Sequence, residues 1–265
     1  MHYLYDGSFE GLLTCVYYHY YGEKAGGIYR RDSYQPVLMM AGTEVITEPA
    51  LAARVYRAIE EKISGDALDN VYRTFLSSAT DKEILILNYL RLGFRLRSKV
   101  DSYHSHPDVY PLHKVVRKVT IEAHRFLGLL RFADTGNFLY AVLAPDHYIL
   151  PLIADHFADR LAGERWIIHD RKREVAVVYD GHDRATEGCR YRRRWYITDF
   201  PRNGQVPLNE KEQYYQELWQ QYFDTIAIAS RRNPQLQAQF VPYRYRQDLV
   251  EFKTTEKVKG STTFE

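Results

Sequence analysis

The spacing of apolar residues at the start of the chain predicts helices joined by short polar turns. Apolar side chains recur every three or four residues over 9–20, directly after the turn and cap signal Asp6-Gly7-Ser8. Pro49 stands near the start of a second helical pattern. Short strand patterns occupy two stretches, 2–5 and 44–46. We therefore expect residues 1–79 to form an N-terminal α-rich subdomain, largely helical.

Further along, the pattern alternates between helical and strand periods. Thr80-Asp-Lys-Glu83 fits a capping box at the start of a helix, and helical spacing continues over 109–126. Apolar runs on either side of turn residues predict two hairpins, which pair 127–132 with 138–143 and 166–169 with 174–179. A helix with helical apolar spacing follows Pro145. These elements predict a sheet with helices packed against it.

The last long helix carries an apolar face that opens at the cap Asn209. The members of this face are Tyr215, Leu218, Trp219, Tyr222 and Ile226. We expect an α+β fold with a mainly antiparallel sheet covered by helices over 80–252. Residues 253–265 lack a buried face and are expected to form a flexible tail.

Composition narrows the functional classes. The 265 residues are 45% hydrophobic and 26% charged, and no apolar run approaches the ~20 residues of a membrane span. The start of the chain has no secretory signal pattern, so a cytoplasmic location is expected. Two cysteines exclude a disulfide framework, a four-cysteine zinc site and a three-cysteine radical SAM cluster.

The net charge is only +2, but basic residues are concentrated in three runs. Residues 91–131 carry nine Lys or Arg against three acids, 184–194 carry five Arg against one acid, and 231–246 carry four Arg and no acid. Aromatic residues interleave with the last two runs. Arg binds phosphate and aromatic faces stack on bases, so this pattern favours nucleic acid over a merely solvated surface.

Ionisable residues within apolar segments are the candidates for chemistry. The segment IEAHRFLGLLRF at 121–132 holds two acid–base candidates, and a histidine lies next to a carboxylate in three later places. The catalytic candidates are Glu122, His124, His156 and Asp170. Helix capping and ordinary surface exposure are the alternative interpretations of these side chains. No nucleotide-binding loop, zinc-protease motif or nucleophile elbow is present, and the sequence assigns no metal and no cofactor.

Five segments carry a family resemblance. They are YDGSFEGLL at 5–13, EAHRFLGLLRF at 122–132, LYAVLAPDHYILPLIADHFADR at 139–160, WIIHDRKR at 166–173 and LWQQYFDTIAIASRRNPQLQAQFVPYRYRQDLVE at 218–251. They resemble a bacterial family of probable DNA-metabolism proteins of unknown biochemical function, whose genes pair with a putative DNA modification or repair radical SAM protein. Some relatives are fused to a uracil-DNA-glycosylase-like domain, and we expect this chain to have neither that domain nor its activity. The chain has Tyr245-Arg246 where the family's closing motif has a Tyr-Trp pair.

The resemblance and the basic runs together predict a protein that binds DNA and acts with a radical SAM partner in base repair or modification. The residues expected to contact nucleic acid are Arg125, Arg131, Arg173, Arg231, Arg244 and Tyr245. We expect the sheet segments in 127–179 and the 231–245 segment to form one concave, positively charged face, with Arg125 and Arg131 at its edge. Two alternatives remain open: a noncatalytic adaptor for the partner, and a hydrolytic or base-excision enzyme that uses the histidine and carboxylate candidates.

Overall fold

The computed structural model describes residues 1–36, 42–181, 195–204, 206–226 and 228–252. Two compact units divide the chain. Unit 1 comprises Met1–Glu122 with Asp146–Tyr148, and unit 2 comprises Ala123–Pro145 with Ile149–Glu265. The described residues form both helices and strands, and the predicted α+β class is confirmed. The expected boundary after residue 79 lies inside unit 1, and the expected tail lies outside the described residues.

Unit 1 contains a three-stranded parallel sheet. Its central strand β1 (His2–Tyr5) lies between β2 (Gly27–Arg30) and β3 (Gly42–Glu44). Parallel neighbours need a crossover, which helix α1 (Phe9–Tyr21) supplies between β1 and β2. The Ser8 hydroxyl caps α1 by accepting the Gly11 N–H at 2.9 Å, as its sequence signal predicts.

The described part of unit 1 contains four further helical segments. They are α2 (Pro49–Lys62), α3 (Gly65–Phe75), α4 (Lys82–Leu96) and the unit 1 part of α5 (Tyr110–Leu129), with 3₁₀ turns at Arg31–Ser33 and Arg97–Ser102. Leu12, Ile59 and Ile86 are fully buried in one apolar core.

The expected capping box at the start of α4 is wrong. Asp81 occupies the N-cap position without a side-chain cap bond. The Glu83 carboxylate instead lies in the unit 1 interior, where it accepts the Tyr5 hydroxyl at 2.7 Å. A tertiary hydrogen bond has therefore replaced the local one that the sequence pattern suggested.

Unit 2 is organised around a five-stranded sheet. The strands lie in the order β4 (Phe132–Asp134), β5 (Leu139–Leu143), β6 (Trp166–Asp170), β7 (Val175–Tyr179) and β8 (Trp195–Asp199). Three of the neighbouring pairs are antiparallel, and β5 pairs parallel with β6 after the crossover helix α6 (Leu150–Arg160). The mainly antiparallel sheet and the second hairpin are confirmed.

The first hairpin forms with a different first strand. Helix α5 continues to Leu129, and the Leu130 N–H still donates to the Phe126 carbonyl at 3.1 Å. The strand prediction for 127–132 is therefore wrong except at Phe132, where β4 begins. The run Leu127-Gly-Leu-Leu130 suits either period, and the backbone bond shows that it extends the preceding helix.

The C-terminal part of unit 2 is helical. It contains α7 (Glu210–Ile226), α8 (Pro234–Phe240), α9 (Tyr243–Arg246) and 3₁₀ turns at Ala229–Arg231 and Val250–Phe252. The spacing on α7 is typical of core packing, yet no residue of α7 is buried. No helix in the described part of the chain has both the length and the hydropathy needed to cross a bilayer.

Candidate functional site

A cleft of about 690 Å³ opens on the sheet of unit 2, and we call it the sheet cleft. Tyr140 and Val142 enter its lining from alternate positions of β5, because side chains two apart on a strand share a face. Polar side chains from other elements also line the cleft. They include Arg131 before β4, Arg171 after β6, Arg202 after β8, Gln216 on α7 and Asp248 near the end of the described chain.

Carboxylates hold two of the three arginines of the sheet cleft. Arg131 Nη2 donates to Glu251 Oε1 at 2.7 Å, and Arg171 Nη2 donates to Asp248 Oδ1 at 2.6 Å. Arg202 is exposed and makes no ion pair with the residues that the structure describes. Among the described residues, one cationic group of the lining therefore has no carboxylate partner, while two others are fixed in orientation by their partners.

Tyr140, which lines the sheet cleft, forms a hydrogen-bonded pair with His169 across the β5–β6 ladder. The Tyr140 hydroxyl lies 2.8 Å from His169 Nδ1, and the His169 ring packs 4.6 Å from the Phe200 ring between centroids. His169 is completely buried, and burial together with Arg171 lowers the pKa of its imidazole to about 4. Burial raises the pKa of the Tyr140 phenol. Both groups are uncharged at neutral pH, so the pair can position a hydrogen bond but supplies no charge.

The predicted catalytic residue Glu122 is buried at the edge of unit 1. Its two carboxylate oxygens accept the backbone N–H groups of Asp146 at 2.8 Å and His147 at 2.7 Å. Asp146 and His147 lie in the segment before α6, which begins at Leu150. This geometry matches a structural role, in which a carboxylate satisfies two backbone donors.

The other three catalytic candidates lie in unit 2. His124 on α5 and His156 on α6 are exposed, and the His156 ring meets the Phe157 ring edge to face. Asp170 is fully buried, accepts the backbone N–H of Lys172 at 3.0 Å and pairs with Arg173 at 2.8 Å. No hydrogen bond links His124, His156 or Asp170 to another of the three within the described chain.

Of the residues expected to contact nucleic acid, Arg131 lines the sheet cleft and the others do not. Arg125 donates to the Gln239 carbonyl at 3.1 Å, and Arg173 bridges Asp170 and the Pro145 carbonyl. Arg231 is exposed in a short 3₁₀ turn. Arg125 and Arg173 therefore make hydrogen bonds within the fold.

The segment that holds Arg244 and Tyr245 packs against α5. The Tyr245 ring is 3% exposed and meets the Phe126 ring at 4.9 Å, so it is not open to stacking by a base. The Arg244 guanidinium lies 4.7 Å from the centroid of the Tyr245 ring. The lining of the sheet cleft contains Arg131, Arg171 and Arg202, and it contains neither Arg125 nor Arg244. The basic run 184–194 lies entirely outside the described residues.

Sequence reasoning did not single out Tyr140, Arg171 or Arg202 as site residues. Arg171 belongs to the basic turn between β6 and β7, and Arg202 follows a proline in a polar turn. Both segments therefore carry a turn signal in the sequence, but the sequence does not show that the two turns line one cleft. Tyr140 gave no local signal, because its position in the cleft depends on strand pairing. In the described ranges, no group of three or more histidine, cysteine or acidic side chains could hold a metal ion.

Comparison with known proteins identifies a family and nothing further. No match was found among curated proteins or among solved structures. The model of one family, described as a domain of unknown function (DUF4130), matches residues 80–251. This match covers more than half of the chain and includes the strands, arginines and carboxylates of the sheet cleft. The chain therefore belongs to the DUF4130 family, a domain of unknown function.

Proposed function

We propose that the protein binds DNA through the sheet cleft and acts in DNA metabolism, with a radical SAM partner that repairs or modifies bases. The observation that carries this proposal is the convergence of Arg131, Arg171 and Arg202 on one cleft that also contains Tyr140. The family resemblance of the sequence supplies the DNA context and the partner.

The cleft suits a phosphate-bearing ligand for a geometric reason. A guanidinium carries five N–H donors, so the single bond from Arg171 to Asp248 leaves others for a phosphate. Arg202 is already without a carboxylate in the described structure. The volume of about 690 Å³ lies within the ordinary range of ligand sites, and it suits one nucleotide unit better than a duplex. Single-stranded or damaged DNA is the expected substrate, because its bases unstack at lower cost.

The test compares Arg202→Gln with Arg160→Gln, which removes an exposed charge on α6 away from the cleft lining. Anisotropy titrations with single-stranded, duplex and damaged oligonucleotides should show affinity that falls steeply with salt. Arg202→Gln should weaken binding by about 3- to 10-fold and reduce the salt slope by about one, while Arg160→Gln should change little. Equal effects of the two substitutions, or no salt-dependent affinity for any of the three DNAs, would contradict the proposal.

A second candidate, the adaptor function, is favoured by the exposed face of α7. Tyr215, Trp219 and Tyr222 are 63%, 43% and 53% exposed, and the last two rings lie 5.7 Å apart. Aromatic residues that are exposed as a group mark protein interaction surfaces, where Trp and Tyr contribute most of the binding energy. We propose that this face docks the radical SAM partner.

Co-purification with the partner tests the adaptor function. Trp219→Ala with Tyr222→Ala should reduce capture by at least about 10-fold, as expected for two hot-spot residues. Tyr110→Ala, at a tyrosine that is 57% exposed in unit 1, is the matched control. Capture that survives the double substitution would exclude the α7 face as the main contact.

A further inference from the structure

A second cleft, of about 490 Å³, lies in unit 1 between α1, α2 and α4, and we call it the tyrosine cleft. Its walls follow helical spacing. Tyr17, Tyr20 and Tyr21 share one face of α1, and Arg54, Arg57 and Lys62 share one face of α2. The tyrosine cleft is formed almost entirely by residues that precede the family match at 80–251.

The tyrosines present aromatic surface to solvent. Tyr17 and Tyr21 stack with centroids 4.6 Å apart and ring planes at 29°, and Tyr20 meets the Phe94 ring edge at 5.5 Å. Tyr21 is 71% exposed and Tyr20 is 43% exposed. Val16, which is fully buried, closes the cleft from below. The stack is therefore supported on one side and open on the other.

The opposite wall is cationic. Arg54, Arg57 and Lys62 make no ion pair with any residue that the structure describes, and Glu61 is the one acid in the lining. The Arg54 guanidinium lies 5.3 Å from the centroid of the Tyr17 ring and 3.4 Å from its hydroxyl. Three positive charges against one negative charge leave a net of +2 in a cleft with an apolar floor.

We propose that the tyrosine cleft binds a nucleotide, with the base stacked on Tyr21 and the phosphate held by Arg54 and Arg57. Aromatic rings stack on any base, and Arg and Lys side chains that lack carboxylate partners bind phosphate oxygens. The volume lies within the range of small-molecule sites. The ligand is a free nucleotide or one unit of a single-stranded nucleic acid, since both present a base beside a phosphate. The proposal does not depend on the function of the sheet cleft.

Titration calorimetry on the full chain tests the site with three probes: dTMP, a short oligo(dT) strand, and deoxyribose 5-phosphate, which lacks the base. Arg54→Gln with Arg57→Gln should weaken nucleotide binding by about 10-fold or more, because two phosphate contacts are lost. The control, Arg117→Gln with Lys118→Gln, removes two exposed charges on α5 outside the lining of both clefts and should leave binding within about 3-fold.

The stacking contact has its own pair of variants. Tyr21→Ala should weaken binding by about 10-fold, and Tyr21→Phe should restore it, since the ring alone stacks. Because Tyr21 is exposed, both variants should have melting temperatures within a few degrees of that of the parent chain. Binding is compared among variants that meet this criterion. In the oligo(dT) strand, a 5-iodouracil base should photo-crosslink to the peptide that contains Tyr20 and Tyr21.

The probes distinguish the two sources of the ligand. Comparable affinity for dTMP and oligo(dT) identifies a free nucleotide, and tighter binding of oligo(dT) identifies a strand; either result supports the site. Three results would overturn it: no binding of dTMP or oligo(dT) at low salt, equal loss in the Arg54/Arg57 and Arg117/Lys118 variants, or equal affinity for deoxyribose 5-phosphate. Because Arg202→Gln leaves the tyrosine cleft intact, failure at one cleft is distinguishable from failure at the other.

Discussion

At the scale of single residues, His169 connects the sheet cleft to the stability of the protein. The pKa of its imidazole is lowered to about 4, because the buried ring has lost its water and Arg171 disfavours a second positive charge. A group with a lowered folded pKa binds its proton more readily when the chain unfolds. The stabilisation from neutral His169 is therefore complete above pH ~6.5 and is lost as the pH falls toward 4.

We expect His169→Phe to make stability less sensitive to acid. Urea unfolding at pH 7 and pH 4.5 should show that the parent chain loses about 2 kcal/mol more than the variant over this interval. The Tyr140 hydroxyl loses its partner in the variant at both pH values, so that cost cancels in the comparison. His156→Phe, at an exposed histidine, should retain the parent's pH dependence. Equal losses in the parent and His169→Phe would show that His169 does not titrate in this range.

We also expect Glu122→Gln to destabilise the protein. A carboxylate can accept from both Asp146 and His147, whereas an amide would turn its NH₂ group toward one of these N–H donors. Loss of a buried acceptor should reduce the free energy of unfolding by about 1–3 kcal/mol in urea titrations. Glu60→Gln, at an exposed position on α2, should change it by less than about 0.5 kcal/mol. If Glu122→Gln left the free energy of unfolding unchanged, the structural role of Glu122 would be contradicted.

At the scale of elements, the start of α1 depends on the missing side chain of Gly11. Asp6 accepts from Ser8 and Thr47, and a Cβ at Gly11 would lie within 3.0 Å of oxygens on all three side chains. Gly128 on α5 provides the opposite case, since a Cβ there meets nothing within 4 Å.

Gly11→Ala and Gly128→Ala should therefore have opposite signs. The first should lower the free energy of unfolding by about 1–3 kcal/mol, because the cap must shift. The second should raise it by up to about 1 kcal/mol, because alanine loses less entropy in a helix. Chemical denaturation of both variants provides the measurement. The same sign for both would show that helix propensity, and not the cap, controls α1.

At the scale of the whole molecule, the start of the family match does not coincide with the edge of a compact unit. Helix α4 lies inside the match, but its buried face contacts the core of unit 1, to which Leu12 and Ile59 contribute. Tyr5 of β1 also reaches Glu83 of α4. The sequence match and the folding unit therefore have different boundaries.

A fragment of residues 80–252 should consequently fail to fold cooperatively. It would expose Ile86, Leu87 and Leu90, which are at most 2% exposed in the full chain. Exposed apolar faces of this kind favour aggregation. Circular dichroism and thermal melting of the fragment against the full chain test this expectation. A soluble fragment with a sharp transition would show instead that α4 is stable without residues 1–79.

The sequence by itself determined the elements whose causes are local. Ser8 capped α1 as expected, and the β6–β7 hairpin formed where turn residues separate two β-branched runs. The family resemblance likewise led to a domain of unknown function, and the match confirms that much.

Only the tertiary structure decided which polar groups meet. Glu83 accepts a hydrogen bond from Tyr5 instead of capping α4. Arg131 and Arg171 pair with carboxylates more than seventy residues away in sequence. The apolar face of α7 is exposed. Helical period shows that a face is apolar, but it does not show what covers that face. The partner of a buried charge likewise depends on strand pairing and on contacts between residues distant in sequence. Local spacing along the chain does not encode either of these.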